Sequence, residues 1–384
     1  MFLKIKPNDT LFFRSGRPFS MGAETWADFI FPPNPSTIYG AIRTFLILQR
    51  GSLSKFLSEK METYEDIGTK KQKGTLRIYG PFLYDEISGS ILFPAPADLV
   101  KIKREGKEKF VKLSFQEKPK IFFSDFSLDG CLIFKEREKK VEEPEGFIEE
   151  ISLKEYLEGK KTEFSLVKEV FKEELKIGIK RERETKTSEE AHIYRVPMLR
   201  FKKFKKEMSF LVELDGVKDF PEKGIFQLGA EGRTVNFKVI KEDLLEELRN
   251  VNFELKDGIF KVYLATPAIF EKGWLPSWIN EKNLKGEFKG LKLKLVTVVL
   301  KKHKLIGGWN LADNRPKPMY KAVPEGSVYY FKVLNGVDEE EIKKVFHFKN
   351  ISDEFSSEKF KDLSEMDKFL PKEGFGLALI GGVA

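Results

Sequence analysis

The sequence holds a single cysteine, Cys131, which excludes an internal disulfide framework and any zinc site built from several cysteines. Histidine is almost as scarce: His192, His303 and His347 are scattered and leave little material for metal or acid–base chemistry. A structural role is the reading for each of them. There is no His-x-x-x-His pair and no G-x-S-x-G elbow. Gly159-Lys160-Lys161-Thr162 has the wrong order for a phosphate-binding Walker loop and lacks its upstream glycine. Apolar runs stay well short of the roughly 20 residues a membrane span needs. The start, Met1-Phe2-Leu3-Lys4-Ile5-Lys6, alternates as a strand does, unlike the continuous apolar region of a signal peptide. These absences lead to the expectation of a soluble, cytoplasmic protein with no membrane contact, no metal and no cofactor.

What is present is a large apolar fraction, 41% of 384 residues, with 36 phenylalanines. That is enough for a sizeable core, and the length suggests about two domains. Charged residues make up 33%, and 68 Lys and Arg against 60 Asp and Glu leave a net charge of +8. On so charged a surface this excess alone does not prove a nucleic-acid partner.

Residues 1–6 read as a strand ended by Pro7. A loop follows, carrying Phe13-Arg14-Ser15-Gly16-Arg17-Pro18-Phe19 and then Phe31-Pro32-Pro33-Asn34-Pro35, whose prolines exclude regular helix. Ser36 is placed to cap a helix over 37–49, with Ile38, Ala41, Ile42, Phe45 and Leu46 as its buried stripe. Ser36, Tyr39 and Arg43 then share the face away from that stripe. Residues 101–150 lose periodicity and fill with Lys and Glu, as an insertion with one or two hairpins would. A helix is expected next, with Phe164, Val167, Val170, Phe171 and Leu175 inward, then strands at 177–182, 192–200 and 208–214. The second half reads as a strand at 258–264, a short helical turn at 276–280, strands at 291–300 and 327–334, a helix at 338–347 and a strand at 375–380. This order is the ferredoxin-like one, an antiparallel sheet with helices on one face. The fold class expected is α+β: two ferredoxin-like (RRM-like) domains, 1–240 with a Lys/Glu-rich hairpin-type insertion at about 98–152, and 241–384 ending in a glycine-rich segment.

Arg14 and Arg17 in a Gly/Pro-rich loop before a helix that carries Arg43 form the sharpest local constellation. Helix starts present unpaired N–H groups, and arginine offers a bidentate fork, so phosphate is a natural ligand. Capping plus surface arginines is the plain structural alternative. Gly178-Ile179-Lys180-Arg181-Glu182-Arg183 is rich in cations, but its interleaved Glu equally fits a solvated hairpin. Phe201-Lys202-Lys203-Phe204-Lys205-Lys206 mixes aromatic and basic residues as single-strand surfaces do, or guards a strand edge. Glycine clusters at Gly229 and Gly232 with Arg233, at Gly307 and Gly308 with Trp309, and at Gly374 and Gly376 with Gly381 and Gly382 allow close approach to a ligand or to another segment.

Taken in order, Phe13–Phe19 and Phe31–Arg43 resemble the N-terminal signature of RAMP proteins of type III-B CRISPR (Cmr) complexes, within the family of the third Cmr subunit. Gly178-Ile179 with Thr185 and His192-Ile193-Tyr194, Leu228-Gly229-Ala230-Glu231-Gly232-Arg233, Ala265-Thr266-Pro267 leading to Gly273-Trp274, Ile306-Gly307-Gly308-Trp309 and Ala322-Val323-Pro324-Glu325-Gly326 match the same family in sequence order. The resemblance implies a non-catalytic RNA-binding subunit for antiviral defence, holding the 5′ tag of the CRISPR guide RNA. Its implied partners are the large polymerase-like Cmr subunit and a Cmr backbone RAMP subunit. Carried over by motif, the RNA-contact candidates are Arg14, Arg17, Ser36, Tyr39, Arg43, Lys180, Arg181, Gly229, Gly232, Arg233, Gly307, Gly308, Trp309, Gly374 and Gly376. The alternative function is a RAMP endoribonuclease that matures guide RNA, which needs an acid–base set at the scissile phosphate. A pure scaffold that never touches RNA is the third reading.

Overall fold

The computed structural model describes residues 1–15, 28–104, 106–119, 128–135, 141–181, 188–203, 206–355 and 363–383. Two large antiparallel sheets organise them. The first is drawn wholly from the first 240 residues: β1 (Phe2–Pro7), β2 (Arg77–Asp85), β3 (Ile91–Pro94), β4 (Phe147–Glu149), β5 (Lys206–Asp215), β6 (Lys223–Gln227) and β7 (Thr234–Ile240), in the order β6-β7-β1-β5-β2-β3-β4. The second contains β8 (Ile259–Leu264), β9 (Lys285–Phe288), β10 (Leu291–Val299), β11 (Val328–Val333), β12 (Lys349–Asn350) and β13 (Leu377–Gly382), in the order β9-β10-β11-β8-β13-β12.

The period-2 pattern of the strands decides what lies on each face of the first sheet. Leu3 and Ile5 of β1, with Phe210 and Val212 of β5, pack against Ile38, Ile42 and Leu46 of helix α1 (Pro35–Arg50). Phe2, Phe82 and Leu211 point the other way, into a core shared with the second sheet. That core covers β8 on both faces, which is why Ile259-Phe260-Lys261-Val262-Tyr263-Leu264 is nearly continuous apolar sequence and wholly buried. Its one lysine is accommodated locally: Lys261 Nζ donates to the Tyr156 carbonyl at 2.6 Å and sits 3.4 Å from the Tyr156 ring centroid.

The insertion does form two hairpins, Leu99–Arg104 with Lys107–Lys112 and Ser114–Glu117 with Gly130–Ile133. They act as an internal clamp. Phe115 stacks on Tyr330 of β11 at 6.0 Å, and Asp98 accepts hydrogen bonds from the hydroxyls of Tyr156 (2.7 Å) and Tyr330 (2.6 Å). Three sequence expectations fail here. The helix expected around Phe164 to Leu175 is absent; helix α2 lies earlier, at Glu150–Leu157, and residues 172–181 are a strand paired with Ser188–Arg200. The alternation Leu175, Ile177, Ile179 outweighed a fortuitous helical spacing because a partner strand supplied the ladder. Residues 276–280 form a turn, closed by Ile279 N–H to Pro276 O at 3.0 Å, and not a helix. Helix α1 begins at Pro35 with Asn34 as its cap residue, so Ser36 lies inside the first turn. Proline at the first helical position has no N–H to satisfy, which moves the start two residues forward.

Helix α3 (Glu339–Phe346) matches its expected bounds. Asp338 Oδ1 accepts from Glu341 N–H at 2.9 Å, three glutamates occupy the first turn, and lysines occupy the last. Ile342 and Phe346 face the core.

Candidate functional site

Helix α1 delivers three of the sequence candidates to one place, although not on the face expected. Ser36, Tyr39 and Arg43 line a cleft of about 130 Å³ whose other wall comes from the second half of the chain: Trp309, Asn310, Leu311 and Lys317. Trp309 and Asn310 pair with Arg315 and Pro316 in a tight turn, pinned by the Lys317 N–H to Gly308 O bond at 2.9 Å. The turn leaves Trp309 52% and Leu311 58% exposed. An indole held open to solvent beside cations is a stacking surface for a planar, anionic ligand.

The floor of the cleft is polar and buried. Tyr39 is only 2% exposed, and its hydroxyl has no hydrogen-bond partner. It therefore belongs to the buried stripe of α1, not to the outward face. Burial pushes its phenol upward, so it is a neutral donor at any physiological pH. Arg43 is held by the chain itself, Nε to Ile67 O at 2.9 Å and Nη2 to Thr69 O at 2.6 Å, with its guanidinium over the Phe56 ring. Burial pulls it below the ordinary guanidinium range, against the opposing pull of Tyr39 and Glu373.

Behind these residues lies an ionic network that no sequence motif marked. Lys73 Nζ contacts Glu373 Oε1 at 2.9 Å with both side chains buried, and Lys317 reaches the same oxygen at 3.4 Å. Burial would raise Glu373, but Lys317 and Lys73 outweigh it and keep the carboxylate ionised. Lys73 also donates to Phe369 O at 2.8 Å. The network thus ties the loop before β2 to the segment before β13. Lys73, Lys317 and Glu373 are single residues in charge-rich loops, so only the fold could reveal them.

The other candidates are dispersed. Arg14 is exposed beside the start of the loop, bridged in register to Phe29. Arg17 lies outside the described residues. Lys180 and Arg181 lie in the strand Lys172–Arg181, and their side chains lie outside the described residues. Arg233 is committed to an ion pair with Asp9 at 2.8 Å. Gly232 is open, with nothing within 4 Å of an added Cβ. Gly229, Gly374 and Gly376 do approach backbone closely, but it is their own chain: a Cβ there would meet Phe12 O at 2.7 Å, Gly80 O at 2.9 Å and Ser352 N at 2.6 Å. Gly307 and Gly308 form the approach to Trp309, at the rim of the cleft. Among the described residues, no group of three or more His, Cys, Asp or Glu side chains is arranged to hold a metal ion, and no helix is long and apolar enough to cross a membrane.

No curated protein matches the chain. Chains of solved structures do. A chain in the cryo-EM structure of the Type III-B Cmr-beta bound to cognate target RNA and AMPPnP is 18% identical over 90% of this chain and 92% of that one, with a TM-score of 0.49. Its counterpart in the Type III-B Cmr-beta bound to cognate target RNA is also 18% identical, with the same coverage and a TM-score of 0.47. The family model of CRISPR-associated proteins described as Cas_Cmr3 matches residues 3–382, nearly the whole length. The chain therefore belongs to the Cmr3 family of CRISPR-associated proteins, the family its ordered motifs resembled.

Proposed function

We propose that this chain is a non-catalytic RNA-binding subunit of a type III-B CRISPR effector complex that holds the 5′ tag of the guide RNA and joins the large subunit to the backbone filament. The observation that carries the reading is the α1 cleft. Within a chain whose family is CRISPR-associated, it gathers the sequence candidates Ser36, Tyr39, Arg43 and Trp309 from both halves beside Lys70 and Lys317. A splayed base on Trp309 and a phosphate near the cations is what such a surface recognises. The non-catalytic reading draws on His347, which is buried with both ring nitrogens engaged: Nε2 with Leu248 O at 3.0 Å and Nδ1 with Ile380 N–H at 3.2 Å.

Each half also supports a ferredoxin-like unit. The four principal strands of the first sheet, β1, β2, β5 and β7, run in the spatial order fourth, first, third, second, and so do β8, β10, β11 and β13 of the second. Each half carries one crossover helix on this reading, α1 in the first and α3 in the second. The assignment of the strands to the two sheets supports a division near residue 240.

Trp309→Ala tests the cleft most cleanly, because an exposed indole contributes little to folding and Arg43 is also a structural brace. Tagged guide RNA binding, measured in the assembled complex, should weaken by about 1–3 kcal/mol with the melting temperature unchanged. Unchanged binding and unchanged protection of the tag would remove the cleft from the RNA path. Metal-independent, site-specific cleavage of repeat RNA by the purified chain would replace the non-catalytic reading with the endoribonuclease.

A further inference from the structure

A second cationic site lies at the seam between the two halves, built from residues that belong to no motif. Arg77 opens β2 of the first sheet, Lys349 belongs to β12, Lys289 lies in the turn between β9 and β10, and Lys372 lies in the 3-10 turn Leu370–Glu373. One side chain draws three of these segments together. Asn350 Nδ2 donates to Ile78 O at 2.9 Å and to Pro371 O at 2.7 Å, so the residue beside each of its three anchor points is a cation: Arg77, Lys349 and Lys372. Lys372 Nζ in turn donates to Gly74 O at 2.9 Å, closing the seam from the other side. Lys289 extends over the Phe288 ring, 5.2 Å from its centroid. None of the four lines the α1 cleft.

The four cations outnumber the carboxylates that face them among the described residues. None forms an ion pair with a described residue; Glu354 is the carboxylate within reach of Lys289 and Lys372, and Asp215 sits opposite Arg77 in the sheet. Partial loss of solvent lowers both lysines, and the neighbouring cations lower them further, Lys349 and Arg77 acting on Lys289 and Arg77 on Lys372. A lysine at a sheet edge is an ordinary guard against strand addition, and that would account for Lys349 alone. It does not account for Arg77, which comes from the other sheet and is held there through Asn350. Like charges gathered against their mutual repulsion are stabilised by an anion that completes them.

We propose that this seam binds the phosphate backbone of single-stranded RNA, at a site separate from the α1 cleft. The inference rests on the reading that the chain contacts RNA, and adds a second anchoring point to it. A guanidinium fork with three ammonium groups suits phosphate oxygens. The segments carrying the four cations present no exposed large hydrophobic side chain among the described residues, so they lack the dry apolar centre of a protein–protein contact.

The test is fluorescence anisotropy of the full-length chain with a fluorescein-labelled single-stranded RNA of mixed sequence, repeated over a range of salt. Lys289→Ala/Lys349→Ala removes two exposed, unpaired cations and should leave the melting temperature unchanged. The dissociation constant should rise about tenfold, and the slope of log affinity against log salt should fall by about 1.4, or 0.7 for each lost phosphate contact. Equal affinity and slope in the double variant, or no RNA binding by the unaltered chain, would overturn the proposal. So would intact RNA binding combined with lost capture of an acidic partner subunit, which would make the seam a protein contact. Trp309→Ala run in parallel separates the two sites: a weakened seam variant beside an unaffected Trp309→Ala leaves the seam standing and removes the cleft.

Discussion

His347 shows how much one side chain can be asked to do without chemistry. Its imidazole follows helix α3 and bonds backbone from two distant segments, accepting at Nδ1 and donating at Nε2. That arrangement needs the neutral ring, and burial pushes its pKa down from 6.5 to about 4. The unfolded chain takes up the proton first as pH falls. The stability held above pH 6.5 is therefore lost progressively towards pH 4, by about 3 kcal/mol. Chemical denaturation at pH 7 and pH 4.5 should show this loss in the unaltered chain and a smaller one in His347→Gln. Equal losses would mean that other groups govern the acid limb. The Lys73–Glu373 pair makes a sharper case. Lys73→Met strands a buried carboxylate with Lys317 as its remaining partner, and should cost about 3 kcal/mol. Lys73→Met/Glu373→Leu should recover part of that loss, and a double-mutant cycle in urea measures how much.

Among the elements, α1 and the glycine-rich segment before β13 depend on one another. Gly374 has φ +94°, and an added Cβ would lie 2.9 Å from Gly80 O and 3.1 Å from Pro35 Cβ, where the helix begins. Gly232 has φ +66° but open space around it. Gly374→Ala combines backbone strain with a clash against two rigid elements and should cost about 3 kcal/mol, whereas Gly232→Ala should cost about 1 kcal/mol. Thermal melts of the two variants check the ranking; equal shifts would show that the packing at Gly374 is looser than described. The start of α1 carries the same lesson about position. Pro35 occupies the first turn, and Asn34, the cap residue, has a buried Oδ1 with no partner. Ser36, the residue that looked like a cap, is instead free to line the cleft.

For the molecule as a whole, the two sheets are not separable bodies. One buried cluster runs from Phe2, Phe82 and Leu211 of the first sheet, through Leu99 and Phe110 of the insertion, to Phe260, Tyr330 and Phe346 of the second half. The insertion, charged along much of its length, is joined to that cluster by the Asp98 bonds and the Phe115–Tyr330 stack. Shared cores unfold together. Tryptophan fluorescence of a Trp26→Phe variant, whose remaining Trp274, Trp278 and Trp309 all lie in the second half, should therefore follow the same denaturation curve as far-UV circular dichroism, which samples both. Two separated transitions would show that the halves fold independently.

Strand and helix identity in most of the second half was legible because the elements there, unlike 276–280, state their own period. Residues 338–347 carry a cap, an acidic first turn and a basic last one, and 291–300 alternate lysine with apolar residues; both formed within two residues of their expected bounds. Around 164–175 the local pattern was ambiguous, and the partner strand Ser188–Arg200 decided it. The family, too, was readable from ordered motifs. The sequence by itself determined the periodicities, the absence of a cysteine framework and the positions of the glycines and arginines. Only the tertiary structure decided which glycines face their own backbone, that Tyr39 points inward, and that Lys73, Lys317 and Glu373 meet beneath Trp309. These are long-range pairings between charges that look alike in sequence, and burial, which no local pattern encodes for them, is what sets them apart.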